Sequence, residues 1–245
     1  MTFPRLFLWP LLAATVLSQA VGADEARVLA DWKKSAAGSP PLEQQQDLSI
    51  QWKSPALATV LDDSTDPASP FPENGKAISV TKVEGVEGKP RFSLKVQAFA
   101  APAKEGWIET ELFLRGGGGI RLIFQTGGTL AISGPTEEED RGEGLLTANL
   151  RTEESSYITL AGKNGNNAFF AESMTAEIPF VFRATWWTSG DQVTFSFEKD
   201  GQVVVSRAGE PIQYTVTSSS EPCGVDFLTI TGTDFAIGKI STSKE

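Results

Sequence analysis

The alternation of apolar and polar positions sets the first expectation for this chain. Phe92, Leu94, Val96 and Ala98 alternate with Arg91, Ser93, Lys95 and Gln97, while Val193, Phe195 and Phe197 alternate with Gln192, Thr194, Ser196 and Glu198. A period of two puts successive side chains on opposite sides of a pleated segment, so both stretches predict strands with one buried face. Ile120, Leu122 and Phe124 repeat the pattern more loosely, as do Ile108, Leu112 and Leu114, and Phe180, Phe182, Ala184 and Trp186. Between Val193–Lys199 and Gln202–Ser206 stands Asp200-Gly201. That dipeptide supplies the positive φ angles of a type I′ hairpin turn. Gly116 to Gly119 and Gly127-Gly128 predict a turn or bulge at two further strand ends. A glycine run cradles phosphate only where a helix follows, and here a strand follows.

Ten or more short strands, frequent turn signals and almost no helical pattern predict a sandwich or barrel. No repeat of fixed period is visible, which argues against a propeller or solenoid. Ahead of the strands, Met1 to Arg5 gives a short basic start, Leu6 to Leu17 an apolar run broken by Pro10, and Val21-Gly22-Ala23 a small-residue cleavage signal. This predicts a signal peptide over residues 1–23, since a dozen apolar residues fall short of the roughly 20 that span a bilayer. Val28, Leu29 and Trp32 then recur at helical spacing, and Ser35 to Gln46 has the composition of a linker. The expectation is a short helix and linker over residues 24–46 and a β-sandwich domain over 47–245. The helix either hangs from the domain or caps it.

Two stretches give the fold a family resemblance. Val60 to Val80, VLDDSTDPASPFPENGKAISV, resembles the opening of laminin-G-like and concanavalin A-like domains of exported bacterial proteins, where an acidic, proline-bearing loop precedes the first core strand. Phe182 to Val205 is similar to their Arg-x-x-Trp strand and Asp-Gly hairpin. Val225 to Ile240 resembles their closing pair, with Phe235, Ile237 and Ile240 at the spacing of the last strand. The resemblance runs over roughly Leu57 to Ser241. It implies an all-β, two-sheet antiparallel jelly-roll sandwich of the concanavalin A-like kind, with the short N-terminal helix in front of it.

Charge and composition narrow the chemistry. With 21 Lys and Arg against 31 Asp and Glu the formal net charge is −10, and loss of Arg5 with the signal peptide makes the mature chain −11. Nucleic acid and anionic lipid surfaces are poor partners for such a surface, whereas a cation or a neutral glycan is easier to accommodate. Acidity also keeps an exported protein soluble. The one cysteine, Cys223, cannot form an intramolecular disulfide, so stability must come from packing. The sequence has no histidine. Ser-His-Asp and Cys-His catalysis and imidazole metal ligation are thereby excluded.

Three constellations remain. Glu138-Glu139-Asp140-Arg141-Gly142-Glu143 has the Glu-x-Asp-x-x-Glu spacing of laminarinase-type glycoside hydrolases, which share this fold. The resemblance would make Glu138 the nucleophile and Glu143 the acid/base, with Asp140 between them. Yet Pro135 to Gly144 has no apolar residue to bury, so a solvated acidic loop is the better reading. Asp62, Asp63, Asp66 and Glu73 offer hard oxygen ligands to calcium, which laminin-G-like domains often bind, against the plainer reading of Asx and proline turns.

The third constellation follows from strand parity. If Ile108, Leu112 and Leu114 face the core, Trp107, Glu109, Glu111 and Arg115 share the opposite face, and if Phe180 to Trp186 bury their even positions, Arg183 and Trp187 face outward likewise. In the resembling fold the outer face of one sheet is concave and commonly carries ligands. Rings stack on sugars, while carboxylates and guanidinium groups bond their hydroxyls. The set either forms a glycan-binding surface or is a second layer of core joined by cross-strand salt pairs. Trp186 shares the parity of Phe180 and Phe182 and is assigned to the core.

The sequence thus predicts an exported, periplasmic or extracellular, non-enzymatic module contacting a glycan or cell-envelope component, with no membrane span after cleavage. Its rivals are a carboxylate-based glycoside hydrolase or polysaccharide lyase of the same fold, and a structural envelope protein without a small ligand. Intact-mass analysis of the exported product should find a chain beginning at Asp24. Retention of Met1 to Ala23 would contradict the export signal.

Overall fold

The computed structural model describes residues 26–41, 44–45, 48–53, 56–62, 70–71, 75–87, 91–127, 144–152, 157–162, 167–170, 176–204, 209–218 and 222–244. Every regular element among them is a strand. Two are exceptionally long: β7 spans Glu105–Gln125 and β15 spans Phe227–Thr242. They run antiparallel to each other from Phe227↔Gln125 to Thr242↔Ile108, with register shifts between Thr233 and Phe235 and between Ile237 and Ile240.

This ladder belongs to two sheets at once. At one end β7 pairs with β8 (Gly144–Arg151), which continues through β9 (Tyr157–Gly162) to β10 (Asn167–Phe170). There β15 pairs with β6 (Arg91–Gln97), followed by β3 (Leu48–Lys53) and β2 (Gln44–Gln45). We call this sheet II. At the other end β7 pairs with β11 (Phe180–Ser189), and β11 with β12 (Gln192–Lys199). Beyond β12 lie β13 (Gln202–Val203) and β14 (Gln213–Thr217). On the far side β15 takes β5 (Lys76–Lys82) and then β4 (Ala56–Asp62), with β1 (Arg27–Ala30) beside its last residues. This is sheet I.

The two sheets close on each other like the halves of a sandwich. Phe124 of sheet II meets Phe195 of sheet I at 5.4 Å between ring centroids, and Phe92 meets Phe235 edge-on at 5.5 Å. Phe99 stands edge-on to Trp186 at 5.7 Å, and the Trp186 indole N–H donates to the Ala103 carbonyl at 3.0 Å. A fully buried tryptophan thus keeps its polar handle satisfied. The inward sets are those the alternation predicts: Phe92, Leu94 and Val96 on β6, Val193, Phe195 and Phe197 on β12, and Phe180, Phe182, Ala184 and Trp186 on β11 are all buried. Asp200 (φ 51°) and Gly201 (φ 72°) are both left-handed, as a type I′ turn between β12 and β13 requires.

Three sequence expectations are corrected. The stretch expected to be helical begins as strand β1, with Arg27 paired to Thr242, and continues into a turn in which the Ser35 N–H donates to the Trp32 carbonyl. The spacing marks no common face: Val28 is exposed, Leu29 is half-buried and Trp32 lies beyond the strand at φ 57°, and pairing with the end of β15 overrides it. The second correction is that Gly116 to Gly119 do not end a strand: β7 passes through them and bends from one sheet into the other. Likewise Val225 to Ile240 is not a pair of strands; from Phe227 on it is one strand, whose partner over its whole length is β7.

The bend depends on Gly118. A Cβ there would fall inside contact with the Asp234 carbonyl oxygen and 2.9 Å from that of Arg115, whereas one on Gly116 would meet nothing within 4 Å. Gly118→Ala should therefore cost about 2 kcal/mol or more in denaturant unfolding, and Gly116→Ala less than about 0.5 kcal/mol. Equal effects would contradict the close crossing of β7 and β15.

Candidate functional site

Sheet I has a second face, turned away from the core. Parity places Trp107, Glu109, Glu111, Phe113 and Arg115 of β7 on it, as it does Arg183, Thr185 and Trp187 of β11. Cross-strand register sorts these side chains into rows, because Thr185 lies opposite Trp107, Arg183 opposite Glu109, and Trp187 opposite Glu105. The rows extend onto β12, where Thr194 faces Trp187, Ser196 faces Thr185 and Glu198 faces Arg183. They continue onto β14 with Thr215 beside Thr194 and Gln213 beside Ser196.

The six residues expected to form one surface divide into three environments. Trp107, Glu109 and Arg183 come together as a unit: the Arg183 guanidinium carbon lies 4.4 Å from the Trp107 ring centroid. Its Nη2 and Nε both reach Glu109 Oε2, at 2.8 and 3.0 Å. Trp107 is consequently covered, with 8% of its surface left exposed. A cation held on a ring face and bonded to a carboxylate is positioned by both partners.

Glu111 and Arg115 are turned to structural work. Glu111 is buried and accepts the Lys239 backbone N–H at 2.8 Å, with the Lys239 ammonium 3.8 Å from its other oxygen. This contact exists because β15 bulges at Gly238, where a Cβ would stand 2.5 Å from Glu111 Oε2. Phe71, Ala77 and Ala236, with Leu61 and Phe113, make a small apolar cluster beside it, and the Trp32 indole donates to the Gly238 carbonyl at 2.7 Å. Arg115 donates to the Phe235 carbonyl at 3.1 Å and to Ser79 Oγ at 2.8 Å. Burial pulls its guanidinium below the usual arginine value, and the Asp234 and Glu177 carboxylates oppose that shift.

Trp187 is the third case. It remains 38% exposed, one row from the Trp107 unit and next to Thr194 and Thr215, whose hydroxyls lie 2.9 Å apart. The neighbouring positions of β12 and β14 are polar and uncharged: Thr194, Ser196, Gln213 and Thr215. The sequence reading did not single these residues out as a site. The alternation of Thr194 and Ser196 with Val193, Phe195 and Phe197 contained the signal, but only the register of β14 on β12 completes the rows.

The carboxylates Glu138, Asp140 and Glu143 lie outside the described residues, as do Asp63, Asp66 and Glu73, and the same holds for the Asp62 side chain. Among the described residues no three of His, Cys, Asp or Glu gather in a way that would hold a metal ion. Cys223 is free and half-buried.

Comparison with known proteins places the fold. No protein-family model matches the chain, and no curated protein sequence does either. Among solved structures, the carbohydrate recognition domain of Emp47p superposes with a TM-score of 0.51 at 12% identity, over 89% of this chain and 94% of that one. The legume lectin-like domain from Entamoeba histolytica gives 0.48 at 9% identity, over 82% and 91%. Lectin II from Ulex europaeus gives 0.47 at 8%, over 90% and 99%. The likeness to the first of these is one of fold: an all-β, two-sheet antiparallel jelly-roll sandwich of the concanavalin A-like kind.

The two outward tryptophans should behave differently when truncated. Trp107→Ala should lower unfolding stability by about 3 kcal/mol, because it strips a covered ring and leaves Arg183 without its platform. Trp187→Ala should cost less than about 1 kcal/mol. Chemical denaturation of the two variants checks this, and equal losses would contradict the division of the face.

Proposed function

We propose that this protein is an exported, non-enzymatic carbohydrate-binding module that takes its glycan on the outer face of sheet I. The observation that carries the reading is Trp187, a large ring held open to solvent on a strand beside hydroxyl and amide side chains. Such a ring covers the C–H face of a pyranose, and neighbouring hydroxyls exchange hydrogen bonds with those of the sugar. The Arg183–Glu109 pair adds a rigid donor and acceptor at the margin. The likeness to the Emp47p carbohydrate recognition domain supplies a fold that serves as such a module elsewhere.

Nothing in this reading asks the protein to break a bond. A surface of one exposed ring and several hydroxyls binds through many small contacts, so a single sugar is held weakly. The physiological ligand is then a polymer or a multivalent glycan of the cell envelope, whose repeated sugars compensate for weak single contacts.

Retention on immobilised polysaccharides tests the proposal. The mature protein should be retained by at least one polysaccharide without releasing reducing ends, and Trp187→Ala should weaken retention about tenfold. Unchanged binding in Trp187→Ala would remove sheet I from the site. Reducing-end release from β-glucans, abolished in Glu138→Gln, would establish hydrolysis instead.

A further inference from the structure

Resting on that reading, we infer that the ligand is an uncharged, extended glycan lying across strands β11, β12 and β14, and that acidic glycans are excluded from this face. Charge is unevenly distributed over this face. Across β11, β12 and β14 two adjacent rows, Trp187–Thr194–Thr215 and Thr185–Ser196–Gln213, carry no ionisable side chain in a molecule of net charge −10. They are open to solvent, with Trp187, Gln213 and Thr215 exposed and Thr185, Thr194 and Ser196 half-exposed.

The next row is charged and already satisfied. Arg183 is the one cation that β11, β12 and β14 present on this face, and it stands between Glu109, which it bonds at 2.8 Å, and Glu198, its partner on β12. A uronate or sulfate approaching Arg183 would have to displace Glu109 while facing Glu198, and Glu105 lies at the end of the Trp187 row. Like charges at such short range cost free energy, and the carboxylate already in place is tethered. An uncharged sugar meets none of this opposition.

The repeat of the rows suits a polymer. Neighbouring strands lie about 4.8 Å apart, a step comparable with one pyranose ring, so an extended chain crossing the strands meets one strand per sugar. Trp187 then stacks on one ring, and the paired hydroxyls of Thr194 and Thr215 meet the sugars that follow. Hydroxyls suit this contact because each both donates and accepts, as the hydroxyls of a neutral glycan do.

Titration of the mature protein with soluble neutral polysaccharides (β-glucan, galactomannan) and acidic ones (polygalacturonate, heparin) at low and high salt tests the inference. A neutral polymer should bind with affinity changing less than about twofold with salt, and the acidic ones should not bind. Thr215→Val, which keeps shape and removes the hydroxyl, should weaken binding about fivefold, and Thr215→Ser should restore it. Binding of acidic polymers that falls away with salt, or equal affinities for the Val and Ser variants, would overturn the inference while leaving a glycan-binding module. Failure of both classes to bind would instead remove the glycan reading itself.

Discussion

The structure depends on one antiparallel ladder, the pairing of β7 with β15. Each strand is long enough to be central in both sheets, so the same backbone hydrogen bonds fix where sheet I begins, where sheet II begins and how the two stand across the core. A ladder that changes sheets must bend without losing its partners. It does so where glycine removes the Cβ that would strike the opposing carbonyl, at Gly118 against Asp234, and where β15 shifts register to follow. Phe124 and Phe195, or Phe92 and Phe235, meet because that bend folds one sheet over the other.

The same ladder divides the outer face of sheet I. On the β15 side the bulge at Gly238 draws Glu111, Lys239 and Phe71 into a closed arrangement, and the Trp32 indole ties the N-terminal segment to it. On the β11 side Trp187 and Thr215 are exposed and Thr194 half-exposed, which leaves an open polar surface. Between them the Arg183, Trp107 and Glu109 unit acts as a boundary, with its charge satisfied and its ring covered. An open polar region and a closed, internally bonded region thus share one sheet face, separated by a single ion pair.

Much of the fold is legible in the alternation. Val193, Phe195 and Phe197 reveal β12, the Asp200-Gly201 pair reveals the turn after it, and the parities of Ile108, Leu112 and Leu114 and of Phe180, Phe182, Ala184 and Trp186 put Trp107, Glu109 and Arg183 on the face turned away from the core. Three things are not legible, each for a physical reason. A glycine run signals an end to local structure, yet within Gly116 to Gly119 it is Gly118 that serves a close approach to Asp234, a residue more than a hundred positions away. Val28, Leu29 and Trp32 have helical spacing, but the end of β15 draws the first two into a strand and Trp32 falls in the turn beyond it. Parity, finally, states which face a side chain occupies and not what lies over it. It gives Trp107 and Trp187 the same standing, while the Arg183 guanidinium covers the first and leaves the second open.

Amide hydrogen exchange along β7 and β15 tests the central role of the shared ladder most directly. If one ladder carries both sheets, the amides of Ile108 to Leu114 and those of Ile120 to Phe124 should exchange together, at the slow rate set by global unfolding, while the edge strand β14 exchanges faster. Strong protection of one half with rapid exchange of the other would mean that the sheets open independently, and the account of a single ladder holding the sandwich together would be wrong.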